Sequence, residues 1–162
     1  MTAINIRGAI IGTVLGILAA VVVIGAAVYF FYCPCALVSG GWLLGPEVTE
    51  PVDDWSAANQ VELCQIQVSA GLPHSINLNC MAAAGKLYLS CSNCEGKRWS
   101  GAALNDPEAR MRMAGSVYPV TLTRLTNPER LDNAWLARAT KLGVPLDTPR
   151  PDGWWSFQVE SR

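Results

Sequence analysis

The sequence predicts a single transmembrane helix followed by a mainly β domain with minor α content, folded as a small barrel or a sandwich. Two observations carry this prediction. No charged side chain occurs between Arg7 and Glu47, whereas the composition beyond Glu47 is that of an ordinary soluble domain. Within that second part, short segments of alternating apolar and polar residues recur between turns. We therefore divide the chain into a transmembrane anchor at 1–35, a juxtamembrane linker at 36–54 and a soluble domain at 55–162.

The first element is the apolar segment 8–32, which is uncharged and rich in alanine, isoleucine, valine, leucine and glycine. Its length exceeds the roughly 20 residues that cross the hydrocarbon core of a bilayer. The aromatic run 29–32 suits the water interface, and Pro34 is expected to end or bend the helix. The alternative is a cleaved signal peptide, whose apolar region is normally about 7–15 residues long and ends at a small-residue site. We therefore predict a retained anchor.

The few flanking charges predict the orientation of this anchor. Arg7 and the amino terminus precede the helix, and only acidic residues follow it closely: Glu47, Glu50, Asp53 and Asp54. Basic residues tend to stay in the cytoplasm, so we expect a cytoplasmic N-terminus in the inner (plasma) membrane. The soluble domain then lies outside the cytoplasm, which means the periplasm in a Gram-negative cell.

The same helix places a small residue at every fourth position, namely Gly8, Gly12, Gly16 and Ala20. Such a stripe lets a second helix approach closely. The expected partner is either a second copy of the chain or a larger membrane complex. The alternative is that these residues reflect only the abundance of glycine and alanine in membrane helices.

The linker 36–54 is rich in glycine and proline and predicts irregular chain, with Trp42, Leu43 and Leu44 resting in the membrane interface. Beyond it, alternation predicts strands at 61–69, 75–81 and 86–90. A polar turn follows, then a short helix over 100–104 that ends before Pro107, because a residue preceding proline avoids the helical region.

The remaining elements are a strand hairpin, a helix and a last strand. Strands are predicted at 111–113 and 117–123, joined by a tight link carrying Gly115. Thr126 or Asn127 can cap a helix that begins at Pro128 and ends at Gly143. Its predicted buried stripe is Leu131, Ala134, Trp135, Ala139 and Leu142, and Arg138 is expected to reach water. Residues 154–159 predict a closing strand.

Three segments together resemble the pyridoxamine-phosphate-oxidase-like split-barrel family: GKLYLS at 85–90, KRWSGAALNDPEARMRM at 97–113 and GSVYPVTLTRLTNPE at 115–129. They are most similar to the branch that contains deazaflavin-dependent nitroreductase-like proteins. In that family a strand ends in a serine, a loop carries a basic residue and a tryptophan, and a helix leads into Asp/Asn-Pro before a hairpin. The similarity covers 55–159 in outline, and 85–129 is its specific part.

The resemblance implies a six-stranded split barrel that binds FMN or a deazaflavin phosphate in a groove. Lys97 and Arg98 would contact the phosphate, since charged hydrogen bonds to phosphate are strong. Trp99 would flank the ring or the groove wall, and Ser90 would complete the cofactor-binding set. The alternative for Lys97 and Arg98 is a solvated pair in a surface loop.

Two functions are consistent with these features. The first is a membrane-anchored oxidoreductase of flavin-reductase type, acting beside quinones or another redox partner. The second is a non-catalytic accessory subunit of a membrane complex, docked through its glycine-faced helix. Ser90 with 97–99 favours the first function. The glycine stripe and the lack of an arginine in the strand at 75–80 favour the second.

Six cysteines in a domain expected outside the cytoplasm favour disulfides. Cys64 and Cys80 lie on successive predicted strands and are expected to face each other. The pair Cys91 and Cys94 is a structural disulfide, half a metal site or a redox pair, and spacing alone leaves these three open. Residues 33–35, Cys-Pro-Cys, could ligate a metal or be lipidated.

Several classes of function are disfavoured. The net charge is −1 and only one basic cluster occurs, which argues against nucleic acid as a partner. His74 is the only histidine, so histidine-rich metal sites and Ser-His-Asp hydrolysis are not expected, and we predict it in a surface turn. No glycine-rich phosphate loop of Walker or dinucleotide type is present.

Overall fold

The structure, a computed structural model, describes residues 6–31 and 38–162. The predictions made for residues 32–35, which include Cys33, Pro34 and Cys35, lie outside the described residues.

The first helix, α1 (Ile6–Phe31), is the predicted membrane segment. Its apolar part, Gly8–Phe30, has 23 residues and a mean hydropathy of 2.7, and none of it is buried inside the protein. At about 1.5 Å per residue this part is roughly 34 Å long, slightly more than the hydrocarbon core of a bilayer. By length and composition α1 can cross a membrane.

The rest of the chain forms a closed antiparallel barrel of six strands in the order β1-β2-β3-β6-β5-β4. The strands are β1 (Cys64–Ala70), β2 (Leu72–Ala83), β3 (Lys86–Cys91), β4 (Glu108–Met113), β5 (Ser116–Arg124) and β6 (Trp155–Ser161). The predicted mainly β architecture is therefore confirmed, and it is a barrel rather than a sandwich. The tight β4–β5 link is also present, with both Ala114 and Gly115 at positive φ.

Strand pairing extends two elements beyond their predicted bounds. Strand β4 begins at Glu108, earlier than predicted, because Ala109 to Arg112 pair with β1 from Val68 to Gln65. Strand β2 begins at Leu72 because it pairs with β1 directly from the turn at Gly71. His74 therefore lies in a strand and is only 7% exposed, so its prediction as a surface turn residue is wrong.

Helix α2 (Arg98–Asn105) packs against β1 and β2, and its buried face forms part of the barrel core. Trp99 and Ala103 are buried in the main core cluster, together with inward residues of the strands such as Ile66, Leu89 and Phe157. The short helix exists as predicted, and it begins two residues earlier than the sequence indicated.

Helix α3 (Pro128–Leu142) packs on the outer side of β2 and β6. Its start and end are as predicted: the Asn127 side chain accepts a hydrogen bond from Arg130 N at 3.0 Å, and Gly143 has a left-handed φ of 66°. The buried positions are Ala134, Ala137 and Ala139, whereas Leu142 is 46% exposed and does not belong to the stripe. A second, smaller core cluster lies between this helix and the barrel wall.

The strap, which we define as residues 38–48, lies across the barrel wall. Gly40 pairs with Ser75 of β2, and Val48 N donates to Val117 O of β5 at 2.8 Å. Leu43 is fully buried, and its N–H donates to Gln67 Oε1 at 2.7 Å. The prediction that Leu43 rests in the membrane interface is therefore wrong, because the barrel buries this side chain.

Two disulfides join described cysteines. Cys64 on β1 is bonded to Cys80 on β2, and Cys91 is bonded to Cys94 across the turn that follows β3. Both pairs belong to the main core cluster. The first joins two neighbouring strands of the barrel, and the second joins the end of β3 to the loop that leads into α2.

Candidate functional site

The structure places Ser90 on the outer wall of the barrel, beneath α3. Residues of β3 alternate, so that Leu89 points into the barrel core while Tyr88 and Ser90 point outwards. Ser90 is 1% exposed and its hydroxyl accepts a hydrogen bond from Arg138 Nη1 at 3.2 Å. Burial lowers the pKa of Arg138, which lies half-buried instead of reaching water as we predicted.

The basic pair lies in the loop after β3, and both side chains are exposed and bonded to nearby backbone carbonyls. Lys97 Nζ donates to Ser92 O at 2.9 Å, and Arg98 Nη2 donates to Ala70 O in the β1–β2 turn at 2.8 Å. These bonds hold the loop and the start of α2 against the barrel. Each cation retains further N–H donors, so phosphate binding by this pair stays a prediction.

Trp99 lies inside the barrel core rather than on an open wall. Its side chain is 3% exposed, and its ring centroid is 5.3 Å from that of Phe157. The four residues that the resemblance implies for cofactor binding are therefore not brought together. Trp99 lies in the core, Ser90 lies under α3, and Lys97 and Arg98 face solvent.

A concavity lies away from these four residues, between α3 and the β2–β3 hairpin. The sequence analysis did not predict it. We call it the hairpin groove, and its volume is about 770 Å³. Among the described residues, its lining comes from the 3₁₀ turn Ser56–Gln60, the β2–β3 hairpin and α3: Asn59, Ala82, Ala83, Ala84, Lys86, Tyr88, Asn133, Leu136, Ala137, Thr140 and Lys141. The walls are mostly small and apolar, with one phenol ring.

The hairpin groove is cationic, because its lining includes two lysines and no aspartate or glutamate. Lys141 Nζ donates to Ala58 O at 2.9 Å and to Cys80 O at 2.5 Å, which fixes the ammonium at the edge of the sheet. Burial lowers the pKa of Lys141. An anion in the groove would replace the solvation that this ammonium has lost. The sequence signal for it is a lysine on the same helical face as Ala134 and Ala137.

One wall of the groove is held rigidly by Asn59, in the 3₁₀ turn Ser56–Gln60. Its amide nitrogen donates to Ala82 O at 2.9 Å, and its amide oxygen accepts from Ala82 N at 2.8 Å. The edge of β2 is thus paired before any ligand arrives. A preformed groove of this kind loses little entropy when a ligand binds.

His74 is a further buried titratable group, and it lies near Arg98. Its Nδ1 has no hydrogen-bond partner within the part of the chain that the structure describes. Desolvation lowers the pKa of His74, and the nearby charge of Arg98 lowers it further. Among the described residues, no group of three side chains suited to a metal ion occurs.

Comparisons with known proteins identify the fold. No protein-family model matches the sequence, and no curated protein matches it. Among solved structures, a putative pyridoxamine 5'-phosphate oxidase from Listeria innocua is similar with a TM-score of 0.51 at 9% identity, covering 65% of this chain and 89% of that chain. This chain therefore has the split-barrel fold of the pyridoxamine-phosphate-oxidase-like proteins, as its sequence resemblance implied.

Two further structures match at lower TM-scores. An F420-H2-dependent reductase has a TM-score of 0.47 at 18% identity, covering 61% of this chain and 94% of that chain. An FAD-binding protein from Mesorhizobium loti also has a TM-score of 0.47, at 10% identity, covering 65% of this chain and 85% of that chain.

Proposed function

We propose that this protein is a membrane-anchored oxidoreductase that binds FMN or a deazaflavin phosphate in the hairpin groove. The observation that carries this proposal is the groove itself, because it joins apolar walls and a phenol ring to two lysines without an opposing carboxylate. The split-barrel fold supports this chemical class of ligand, and the hairpin groove supports this place for it.

The dimensions and chemistry of the groove fit such a cofactor. Ligand pockets are typically about 300–1,000 Å³ and mainly apolar, with a few polar groups that fix orientation. Ala83 and Ala84 are accessible in the groove and offer a surface for a flat ring system, while the ring of Tyr88, which is 8% exposed, contributes a small part of it. Lys86 is exposed and free to move toward a phosphate, while Lys141 is fixed. When bound, the cofactor supplies hydride or electron transfer, and the chain binds and orients it.

The competing phosphate site is the pair Lys97 and Arg98 at the other end of β3. Lys86 begins this strand and Lys97 follows its end, so the two sites can be tested separately. The test is a titration of the full chain in lipid nanodiscs with FMN, followed by flavin fluorescence. Lys86→Glu and Lys97→Glu each reverse one exposed lysine and are matched in charge.

We expect Lys86→Glu to weaken FMN binding at least about tenfold, equivalent to about 1.4 kcal/mol. Lys97→Glu is expected to leave the affinity within about twofold, because its charge is remote from the groove. If Lys97→Glu weakened binding and Lys86→Glu did not, the phosphate would be assigned to Lys97 and Arg98 instead. If the wild-type protein showed no saturable FMN binding, the proposal that it binds FMN would be wrong.

A second function, a non-catalytic accessory subunit, is favoured by the way the fold uses the predicted cofactor residues. Lys97 and Arg98 bond to backbone carbonyls and Trp99 fills the core. Helix α1 also leaves Gly12 and Gly16 open, since a Cβ added at either glycine would meet no atom of the described residues within 4 Å. In this function a colourless protein co-purifies with a fixed membrane partner, and Gly16→Leu releases that partner.

We also propose that the barrel lies outside the cytoplasm, with the N-terminus inside. The two disulfides support an oxidising compartment, and the charges flanking α1 support this orientation. Protease added to intact spheroplasts should then degrade the barrel. A barrel that becomes sensitive only after the membrane is permeabilised would reverse the topology.

A further inference from the structure

We infer that the barrel is seated on the membrane surface by its β1–β2 turn, with Leu72 and Trp42 lying in the lipid headgroup layer. The inference rests on the proposed membrane span of α1. It adds a second lipid contact, made by the folded domain itself, and the occupant of that surface is the bilayer.

The first step is the depth of the helix end. The apolar part of α1 ends at Phe30, and its length slightly exceeds the hydrocarbon core of about 30 Å. Tyr29 and Phe30 therefore lie where the hydrocarbon meets the headgroups, a position that aromatic side chains favour. Their rings are in edge-to-face contact, with centroids 5.1 Å apart.

The second step is that hydrogen bonds tie this helix end to the barrel. Tyr29 Oη donates to Pro73 O, next to Leu72 in β2, at 3.3 Å. Within the strap, Gly41 N donates to Tyr29 O at 2.7 Å and Trp42 N donates to Phe30 O at 3.1 Å. The first residues of β2 and the start of the strap therefore share the depth of Tyr29 to within a few ångströms.

Gly41 makes this close approach sterically specific. A Cβ at this position would lie 2.9 Å from Tyr29 O and 3.0 Å from Phe30 Cα, both of them backbone atoms. Any other residue would push the strap away from the helix. The contact is thus a packed junction, and the barrel is held close to the point where the helix leaves the hydrocarbon.

The third step is what this end of the barrel exposes. Leu72 is 55% exposed and Trp42 is 44% exposed, although both are large and apolar. The headgroup layer on each side of a bilayer is about 5–7 Å thick, which is deep enough to cover side chains at the depth of Tyr29. Arg98, bonded to Ala70 O beside this turn, is exposed and suits the phosphates of that layer.

We call the proposed lipid contact of Leu72 and Trp42 the seat. It leaves the hairpin groove uncovered. The groove is lined by Ala82 and Ala83 at the far end of β2, ten and eleven residues beyond Leu72. At about 3.3 Å per residue, the two ends of this strand are separated by roughly 36 Å. The same strand therefore contacts lipid at its start and lines the groove at its end.

The test uses the full chain in nanodiscs whose lipids carry bromine near the headgroup end of the acyl chains, because bromine quenches nearby tryptophan fluorescence. Leu72→Trp adds a tryptophan at the seat. Leu136→Trp is the matched control, since Leu136 is 43% exposed and lines the hairpin groove at the other end of β2. The signal of each added tryptophan is obtained by subtracting the wild-type emission.

We expect brominated lipid to remove more than half of the emission added at position 72 and almost none of that added at 136. Equal quenching at the two positions would overturn the seat. Trp42→Phe provides an independent measurement, because removing a quenchable tryptophan should lower the quenched share of the wild-type emission. An unchanged share would also contradict the inference. Retention of the chain in nanodiscs reports on α1 alone, so failure of the span is distinguishable from failure of the seat.

Discussion

At the scale of single residues, the basic side chains of α3 that face the barrel bind neutral oxygens. Arg138 donates to Ser90 Oγ, Lys141 donates to Cys80 O, and Arg130 donates to Gln158 Oε1 at 2.5 Å. Alternation in β3 was enough to predict that Ser90 points away from Leu89. The covering of that face by α3 was not predictable, because it depends on packing between distant parts of the chain.

Replacing Ser90 by alanine separates a structural role from a cofactor role. Ser90→Ala leaves the half-buried Arg138 donor unpaired, which should cost about 1–2 kcal/mol of unfolding free energy. Urea unfolding of the detergent-solubilised full chain measures this. Ser92→Ala is the control, since only the backbone oxygen of Ser92 accepts from Lys97. Unchanged stability together with lost FMN affinity would instead support the cofactor role predicted from the sequence.

The pKa of His74, the single histidine, reports on the charge of Arg98 at the start of α2. The pKa of His74 is lowered below its ordinary value of 6.5 by desolvation and then by Arg98. Below about pH 6.5 the unfolded chain therefore binds more protons than the folded chain, so the free energy of unfolding falls as the pH falls.

We expect Arg98→Gln to raise the pKa of His74 toward 6.5, because the substitution removes a nearby positive charge. The histidine ring signal in an NMR titration reports this pKa without ambiguity, as the chain has one histidine. Lys97→Gln should leave the pKa almost unchanged. A downward shift in Arg98→Gln, or equal shifts in both variants, would contradict the assignment of Arg98 as the second cause.

At the scale of elements, segments with strong local signals were predictable and the strap was not. The alternating strands and α3, with Asn127 at its start and Gly143 at its end, follow from local chemistry. The strap is glycine-rich and carries no periodic pattern, yet Arg110 donates to Leu43 O at 2.9 Å and to Glu47 Oε2 at 2.8 Å. Its order comes from these partners on β4 together with those on β1, β2 and β5, which local sequence cannot indicate.

The Cys64–Cys80 bond closes the β1–β2 hairpin, with a sequence separation of 16 residues. Loop-closure entropy predicts that reducing it lowers the free energy of unfolding by about 3 kcal/mol. Unfolding curves with and without reductant, in a Cys91→Ser/Cys94→Ser background, isolate this bond. Coincident curves would show that the hairpin is held by its strand pairing alone.

At the scale of the whole molecule, an apolar helix and a barrel meet at a packed junction, and the hairpin groove opens at the other end of β2. The order of strands and the 85–129 segment were enough to predict the split barrel. The groove was not predictable, because Lys86 and Lys141 are far apart in the sequence and meet only when α3 packs on the hairpin. The loop residues implied by resemblance instead support the core and the β1–β2 turn.

The central claim is that this barrel carries a flavin-type cofactor, and the absorption spectrum of the full chain purified from membranes tests it most directly. The account predicts a flavin or deazaflavin band that is present in the wild-type protein and in Lys97→Glu but lost in Lys86→Glu. A wild-type protein without such a band, which also fails to take up FMN or a deazaflavin on addition, would contradict it.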